Sequence, residues 1–221
     1  YAMEFLTQQN RVVDGVVVPP EQRISAEDKD VLVIGGGDTG SDCVGTSIRQ
    51  KARSVTQIEI MPKPPDKRTP DNPWPYYGKL MKTSTSHEEG CERMWELSTV
   101  RFLGDQNRVT GAEVEQVEWN RVNGNFSMKA VPGTRKELKA DLVLLSMGFV
   151  HPVLEGLISE LELELSERKN IRVRGRHQTS IPHVFAAGDS ITGASLVVNA
   201  IASGRRVAGS IDSYLKEQVS R

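Results

Sequence analysis

Gly35-Gly36-Gly37-Asp38-Thr39-Gly40 sets glycines at the first, third and sixth positions of a G-x-G-x-x-G run. A pyrophosphate needs backbone amides aimed at it and no side chain in its way. Glycines supply the tight turn and the close approach, and a helix beginning there adds partial positive charge. The run follows an apolar stretch, Val31-Leu32-Val33-Ile34, and opens a proline-free segment from Thr39 to Arg53. That strand–turn–helix context is what makes such a run informative. Gly35, Gly36, Gly37 and Gly40 are therefore candidate dinucleotide-binding residues, with Asp38 and Thr39 in the loop as helix-capping ones. The plainer reading is a glycine turn that only packs helix on strand.

An acid at the end of the second strand would meet an adenosine ribose 2′-hydroxyl, and a cation there would meet a 2′-phosphate. Glu59 lies nineteen residues after Gly40, but Ile60-Met61 follow as if the strand continued. Lys63, Lys67 and Arg68 come just beyond and could clamp a phosphate, which tilts the expectation slightly to NADPH; a solvated loop face explains them equally well. A second constellation is Val184-Phe185-Ala186-Ala187-Gly188-Asp189, then Ser195-Leu196-Val197 opening a long helix. An apolar strand delivering an Asp after a Gly suits a sugar-like hydroxyl. In a doubly wound flavoprotein that acid holds the ribityl chain, and the helix N-terminus faces the flavin. An Asp that only caps a helix is the alternative.

These residues need a scaffold, and the chain reads as α/β. The stretch 31–34 is apolar on both faces, as a parallel strand covered on each side must be. Val55 to Met61 is a second strand, so a β-α-β unit spans about thirty residues. A proline-rich loop, 62–85, carries Trp74 and Tyr76-Tyr77. Ser86-His87-Glu88-Glu89 fits a capping box, predicting a helix to about Leu97. Thr99–Leu103 then reads as the third strand, followed by a β-meander: a turn at 104–107, a strand Val109–Trp119, a turn at 120–125 and a strand Phe126–Val131. Asp141–Gly148 restores a buried strand. The expected fold is a Rossmann-like doubly wound parallel sheet with a β-meander insertion. Residues 1–29 carry few structure signals. The periodicity of Val197, Ile201, Gly204, Ala208, Ile211 and Leu215 predicts the clearest helix.

Composition narrows the function classes. Lys+Arg 28 against Asp+Glu 29 leaves a net charge of −1, which argues against a nucleic-acid partner. No apolar run approaches the roughly 20 residues of a membrane span, and no secretion signal is visible at Tyr1. Two cysteines, Cys43 and Cys91, cannot hold an iron–sulfur cluster or a structural zinc. A reduced, cytoplasmic setting is the expectation. His87 with Glu88 suggests no metal, since no second ligand pair lies nearby, and no Ser/His/Asp set can be chosen.

Residues 35–50 (GGGDTGSDCVGTSIRQ), Asn72-Pro73-Trp74-Pro75, Thr83–Gly90, Leu144–Pro152 and Gln178–Asp189 together resemble the small (beta) subunit of glutamate synthase, over essentially the whole chain. Thioredoxin reductases share only the glycine and Gly-Asp skeleton, and they carry a C-x-x-C where Cys43 stands alone. The resemblance implies that NADPH passes a hydride to FAD. Electrons then travel through iron–sulfur clusters to a large subunit that makes glutamate from glutamine and 2-oxoglutarate. It implies that Gly35, Gly37 and Gly40 bind the NADPH pyrophosphate and Gly188 and Asp189 bind FAD. Ser195, Leu196 and Val197 would lie under the flavin, and Gly148 would mark the junction of the nucleotide domains. The resemblance also implies that the sheet is flanked by parts of a second, FAD-type nucleotide-binding domain, with divisions at 1–29 (partial FAD-domain segment and linker), 30–147 (nicotinamide domain) and 148–221 (carboxy-terminal part of the FAD domain).

The family's cysteine-rich cluster domain and first FAD glycine motif have no counterpart in these residues. The expectation is therefore a carboxy-terminal part of a longer subunit, with partners in its missing N-terminal part and the large subunit. FAD binding should be weak or absent in this chain, and NADPH binding retained. The rivals are a related flavoprotein reductase module, such as that of dihydropyrimidine dehydrogenase or a ferredoxin–NADP reductase-like protein, and a non-catalytic dinucleotide-binding module.

Overall fold

The computed structural model describes residues 1–122 and 125–219, in two compact units, Tyr1–Met147 and Gly148–Arg221. In the first unit, β1 (Asp30–Ile34), β2 (Ser54–Ile58), β3 (Glu92–Met94) and β8 (Leu142–Leu145) form a sheet ordered β3-β2-β1-β8, and every pairing is parallel. The third parallel strand is therefore Glu92–Met94, not Thr99–Leu103. The segment 97–105 instead forms β4 (Leu97–Asp105), antiparallel to β5 (Arg108–Val122). β5 also pairs with β6 (Asn125–Ala130) and β7 (Lys136–Lys139), which completes the inserted meander. The β4–β5 turn closes on two residues, Gln106 and Asn107, with φ of 45° and 67°, the left-handed pair that suits the twist of a tight hairpin. Of the turn expected at 120–125, residues 123 and 124 lie outside the described residues.

The apolar run 31–34 is buried on both faces for a visible reason. Val31 and Val33 pack with Cys43, Val44, Val55 and Leu144 on one face, and Leu32 packs with Ile58, Leu97, Ala112, Val114 and Ala140 on the other. The first cluster is covered by two helices, α1 (Ala2–Val13) and α2 (Asp38–Arg49). α1 corrects the expectation of little structure at the start of the chain. Its Phe5 is fully buried against that cluster, worth about 1.5–3 kcal/mol as transfer from water. The sequence hides this helix because only a narrow stripe, Ala2, Phe5 and Leu6, faces inward.

The helix expected from Ser86 to Leu97 is a single turn, α3 (Thr85–Glu88). Its cap is Ser84, two residues earlier than the S-x-x-E reading. The Ser84 hydroxyl accepts the His87 amide at 3.3 Å, and His87 Nδ1 receives the Ser84 amide at 3.2 Å. The histidine thus does the work that a glutamate does in the usual box. Gly90 leaves α3 with φ +118°, and the chain turns directly into β3.

The second unit holds α4 (Leu157–Glu160), α5 (Asp189–Thr192) and the long α6 (Val197–Val219); its small core is Ile158, Leu163 and Ile171, with Ile191 of α5 packed against it. The strands expected near 161–165, 171–173 and 183–187 reduce to isolated bridges, Leu165 with Ile171 and Gln178 with Phe185. Among the described residues no helix is long and apolar enough to cross a membrane.

Candidate functional site

The glycine turn leaves β1 and enters α2 at the carboxyl end of the parallel sheet, where open α/β sheets bind ligands. Gly35 has φ +119°, and a Cβ on it would stand 2.3 Å from the Ser146 carbonyl oxygen. Its own amide donates to the Ile58 carbonyl at 2.9 Å. A Cβ on Gly40 would lie 2.2 Å from the Gly35 carbonyl oxygen. These two glycines are therefore demanded by packing. Gly37 differs: its φ is −80° and its Cβ position meets nothing within 4 Å. The chain's fold does not need that glycine; a ligand approaching the backbone would.

Gly37 is the N-cap of α2, so Asp38 and Thr39 occupy the first two helical positions and do not cap it, contrary to the sequence expectation. No side chain caps this end, and Ser41 makes the first backbone bond, 3.0 Å to the Gly37 carbonyl. By helix geometry the amides of Asp38, Thr39 and Gly40 are the open donors of the turn. Those amides, the positive end of a 12-residue helix and the bare Gly37 make a cradle that fits a pyrophosphate.

Beneath the turn runs a polar relay that the sequence reading missed. Gln57, 2% exposed in β2, donates from its carboxamide to the Gly35 carbonyl at 2.9 Å. Its oxygen faces His87 Nε2 at 2.9 Å, and His87 Nδ1 lies 2.9 Å from the Ser84 hydroxyl. That hydroxyl in turn is 2.5 Å from Ser41 on α2. Burial, and secondarily the Arg93 cation, push the His87 pKa below its ordinary value. A polar residue at an alternate position of an apolar strand was the available signal, and Gln57 carries it.

Glu59 follows the last residue of β2, so the strand does end there, contrary to the reading that Ile60-Met61 continue it. One carboxylate oxygen accepts the Gly36 amide at 2.5 Å, the other the Met61 amide at 3.1 Å. The candidate phosphate clamps are dispersed. Lys63 Nζ lies 5.3 Å from the centre of the Trp95 ring. Arg68 donates to the carbonyls of Asn72 and Tyr76 at 3.2 and 2.9 Å, and Lys67 is exposed in the same loop. Cys43 is fully buried in α2, and its thiol is pushed up to about 12 by burial first and by Asp42 second.

In the second unit Gly188, with φ +63°, caps α5, and its amide donates to the buried Ser203 hydroxyl on α6 at 3.0 Å. Asp189 is the first residue of that short helix rather than the end of a strand. It lines a cleft of about 430 Å³ with Phe149, His151, Pro152, Val153, Ser190, Gly193 and Ala194. Gly148 has φ +86° and opens the unit. Ser195 and Leu196 precede α6; Leu196 and Val197 are 41% and 74% exposed, an apolar pair facing water.

Comparison with known proteins matches residues 7–204 to the model of the pyridine nucleotide-disulphide oxidoreductase family. The chain is 46% identical over 217 residues, 97% of its length, to the glutamate synthase (NADPH) small chain of Mycobacterium tuberculosis, and spans 44% of that protein. It is 38% identical over 221 residues to the glutamate synthase (NADH) of Schizosaccharomyces pombe, covering 96% of this chain and 10% of that one. The solved structure of Mycobacterium tuberculosis FprA in complex with NADPH shares the fold, with a TM-score of 0.65 at 14% identity over 89% of this chain and 55% of that one. A parallel sheet apolar on both faces, a glycine turn opening an uncapped helix, and a family match that contains them both have one consequence: this chain belongs to the pyridine nucleotide-disulphide oxidoreductase family.

Proposed function

We propose that this chain is the electron-input part of a glutamate synthase small subunit, taking a reduced nicotinamide dinucleotide at the glycine turn. Residues 30–147 would be the nicotinamide domain, with α1 of the segment 1–29 packed into its core, and 148–221 the carboxy-terminal part of a flavin domain. One observation carries the reading: the bare Gly37 beside the open amides of α2, a backbone surface that packing does not require and a pyrophosphate does.

Gly35, Gly36 and Gly40 shape the turn, and Asp38, Thr39 and Gly40 present amides to the phosphates. In the second unit Asp189 offers a carboxylate to the ribityl hydroxyls of FAD, and its mostly apolar cleft suits a ring-sized group. Ser195, Leu196 and Val197 would lie beneath the flavin. A flavin bound there would supply hydride acceptance and single-electron release. This chain's residues hold and orient; no side chain need exchange a proton with the nicotinamide. The iron–sulfur clusters and the large subunit that completes glutamate synthesis would lie outside these residues.

Titrating the chain with NADPH and NADH while following tryptophan emission tests this. The reading expects saturable binding of at least one of them and little retained flavin in the purified chain. A folded chain that binds neither overturns it.

A further inference from the structure

Glu59 occupies the position from which an adenosine ribose is read. It comes directly after β2, and its backbone is fixed on both sides: its amide donates to the Met94 carbonyl at 2.9 Å, and its carbonyl accepts the Leu97 amide at 3.1 Å. Its side chain reaches across to the glycine turn, so closely that a Cβ on Gly36 would stand 2.6 Å from the carboxylate. The two backbone bonds to Gly36 and Met61 use one acceptor site on each carboxylate oxygen. A carboxylate has about four such sites, so each oxygen keeps one for a ligand.

We infer that Glu59 makes the site selective for a dinucleotide with a free adenosine 2′-hydroxyl, NADH, over one carrying a 2′-phosphate; this rests on the dinucleotide reading of the glycine turn. A ribose hydroxyl donates to a carboxylate in a charge-assisted bond. A 2′-phosphate at the same place brings like charge against like at short range. NADPH remains a ligand, through its pyrophosphate, but the weaker one.

The side chains next to Glu59 in sequence bring no cation to it, and of the loop's candidate cations only Lys67 stands exposed without a contact among the described residues. Ile60 and Met61, the next two side chains, are apolar and 37% and 45% exposed. Lys63 is drawn to the Trp95 ring, and Arg68 is spent on the carbonyls of its own loop. The segment between is also held in place: Trp119 Nε1 donates to the Ile60 carbonyl at 2.8 Å, and the Glu96 amide donates to the Met61 carbonyl at 3.2 Å.

The test is a pair of binding titrations, NADH and NADPH, on the chain and on Glu59→Gln. The variant keeps an oxygen for the Gly36 amide and removes the charge. The chain itself should bind NADH at least about tenfold tighter than NADPH, the worth of one charge-assisted bond. In Glu59→Gln the ratio should shrink by about the same factor, chiefly because NADPH tightens. Added salt should narrow the wild-type gap, since the repulsion is screened. NADPH binding as tightly as NADH in the wild type, or a ratio unmoved by the substitution, overturns this inference and leaves the glycine-turn reading standing. Binding of neither nucleotide overturns both. The wild-type ratio decides the matter even if the variant fails to fold.

Discussion

His87 Nε2 lies 2.9 Å from the carboxamide oxygen of Gln57, and the nitrogen of that same carboxamide donates to the Gly35 carbonyl. The amide can serve the glycine turn only from its nitrogen, so its oxygen must face the ring. The ring then donates from Nε2 and accepts at Nδ1 from Ser84. A neutral histidine on α3 is thereby tied, through one buried side chain, to the carbonyl that shapes the glycine turn.

Gln57→Leu keeps the volume and deletes both bonds. It leaves the His87 N–H without its partner and the Gly35 carbonyl with only the longer bond from the Ser146 hydroxyl, 3.4 Å, at about 1–3 kcal/mol for the unpaired group. Urea unfolding should show that loss, and affinity for the dinucleotide should fall with it. A variant as stable as the wild type would mean that water replaces the amide without cost.

Acid should act on the same relay. Since burial and Arg93 hold the folded His87 below its ordinary value, the unfolded chain takes up a proton first as pH falls below about 6.5. The contribution of His87 to stability is whole above that pH and is lost as pH falls toward the folded ring's lower value. Unfolding curves between about pH 5 and about pH 7.5 should show the decline, and His87→Gln should flatten it.

Gly37 and Gly40 should separate binding from folding. Gly40→Ala drives a methyl into the Gly35 carbonyl and should cost about 2 kcal/mol or more. Gly37→Ala meets open space, so its stability should drop by less than about 1 kcal/mol, the loss of a tolerable N-cap. Dinucleotide affinity should nonetheless fall by about tenfold, because the methyl stands where phosphate approaches the backbone. Thermal melts beside nucleotide titrations distinguish the two effects.

Cys43 should be silent toward alkylating reagents in the folded chain. A thiol pushed up to about 12 and fully buried offers neither thiolate nor access. Cys91, also raised by burial but half-exposed, should label first and more slowly than a free thiol. Mass spectrometry of the labelled chain gives the order, and rapid labelling of Cys43 in native buffer would contradict it.

Ser203→Ala removes the acceptor of the Gly188 amide, and Ser203 is only 3% exposed. The second unit should lose about 1–2 kcal/mol. Hydrogen exchange at the Gly188 amide should quicken, while dinucleotide binding at the glycine turn stays unchanged.

The sequence by itself determined the parallel sheet and its turn. An apolar run that can only be buried on both faces, followed by G-x-G-x-x-G and a proline-free segment, leaves little freedom in how β1, the turn and α2 are joined. The long α6 was equally plain, since its periodicity runs from Val197 to Leu215 within a helix of 23 residues. Three matters waited for the tertiary structure. Only the pairing of β3 with β2 shows that Glu92–Met94 is the third strand, because three residues carry no periodicity and Gly90 hides the turn into them. α1 gives few signals because its buried stripe is narrow and finds its partner on a helix some forty residues away. The roles within the turn were also undecided, since G-x-G-x-x-G treats its glycines alike. Packing against Ser146 and the Gly35 carbonyl is what makes Gly35 and Gly40 structural and leaves Gly37 open for a ligand. The position of Glu59 against the Gly36 amide followed from where β2 stops, and a strand's end is set by hydrogen bonds to its neighbours rather than by its own residues.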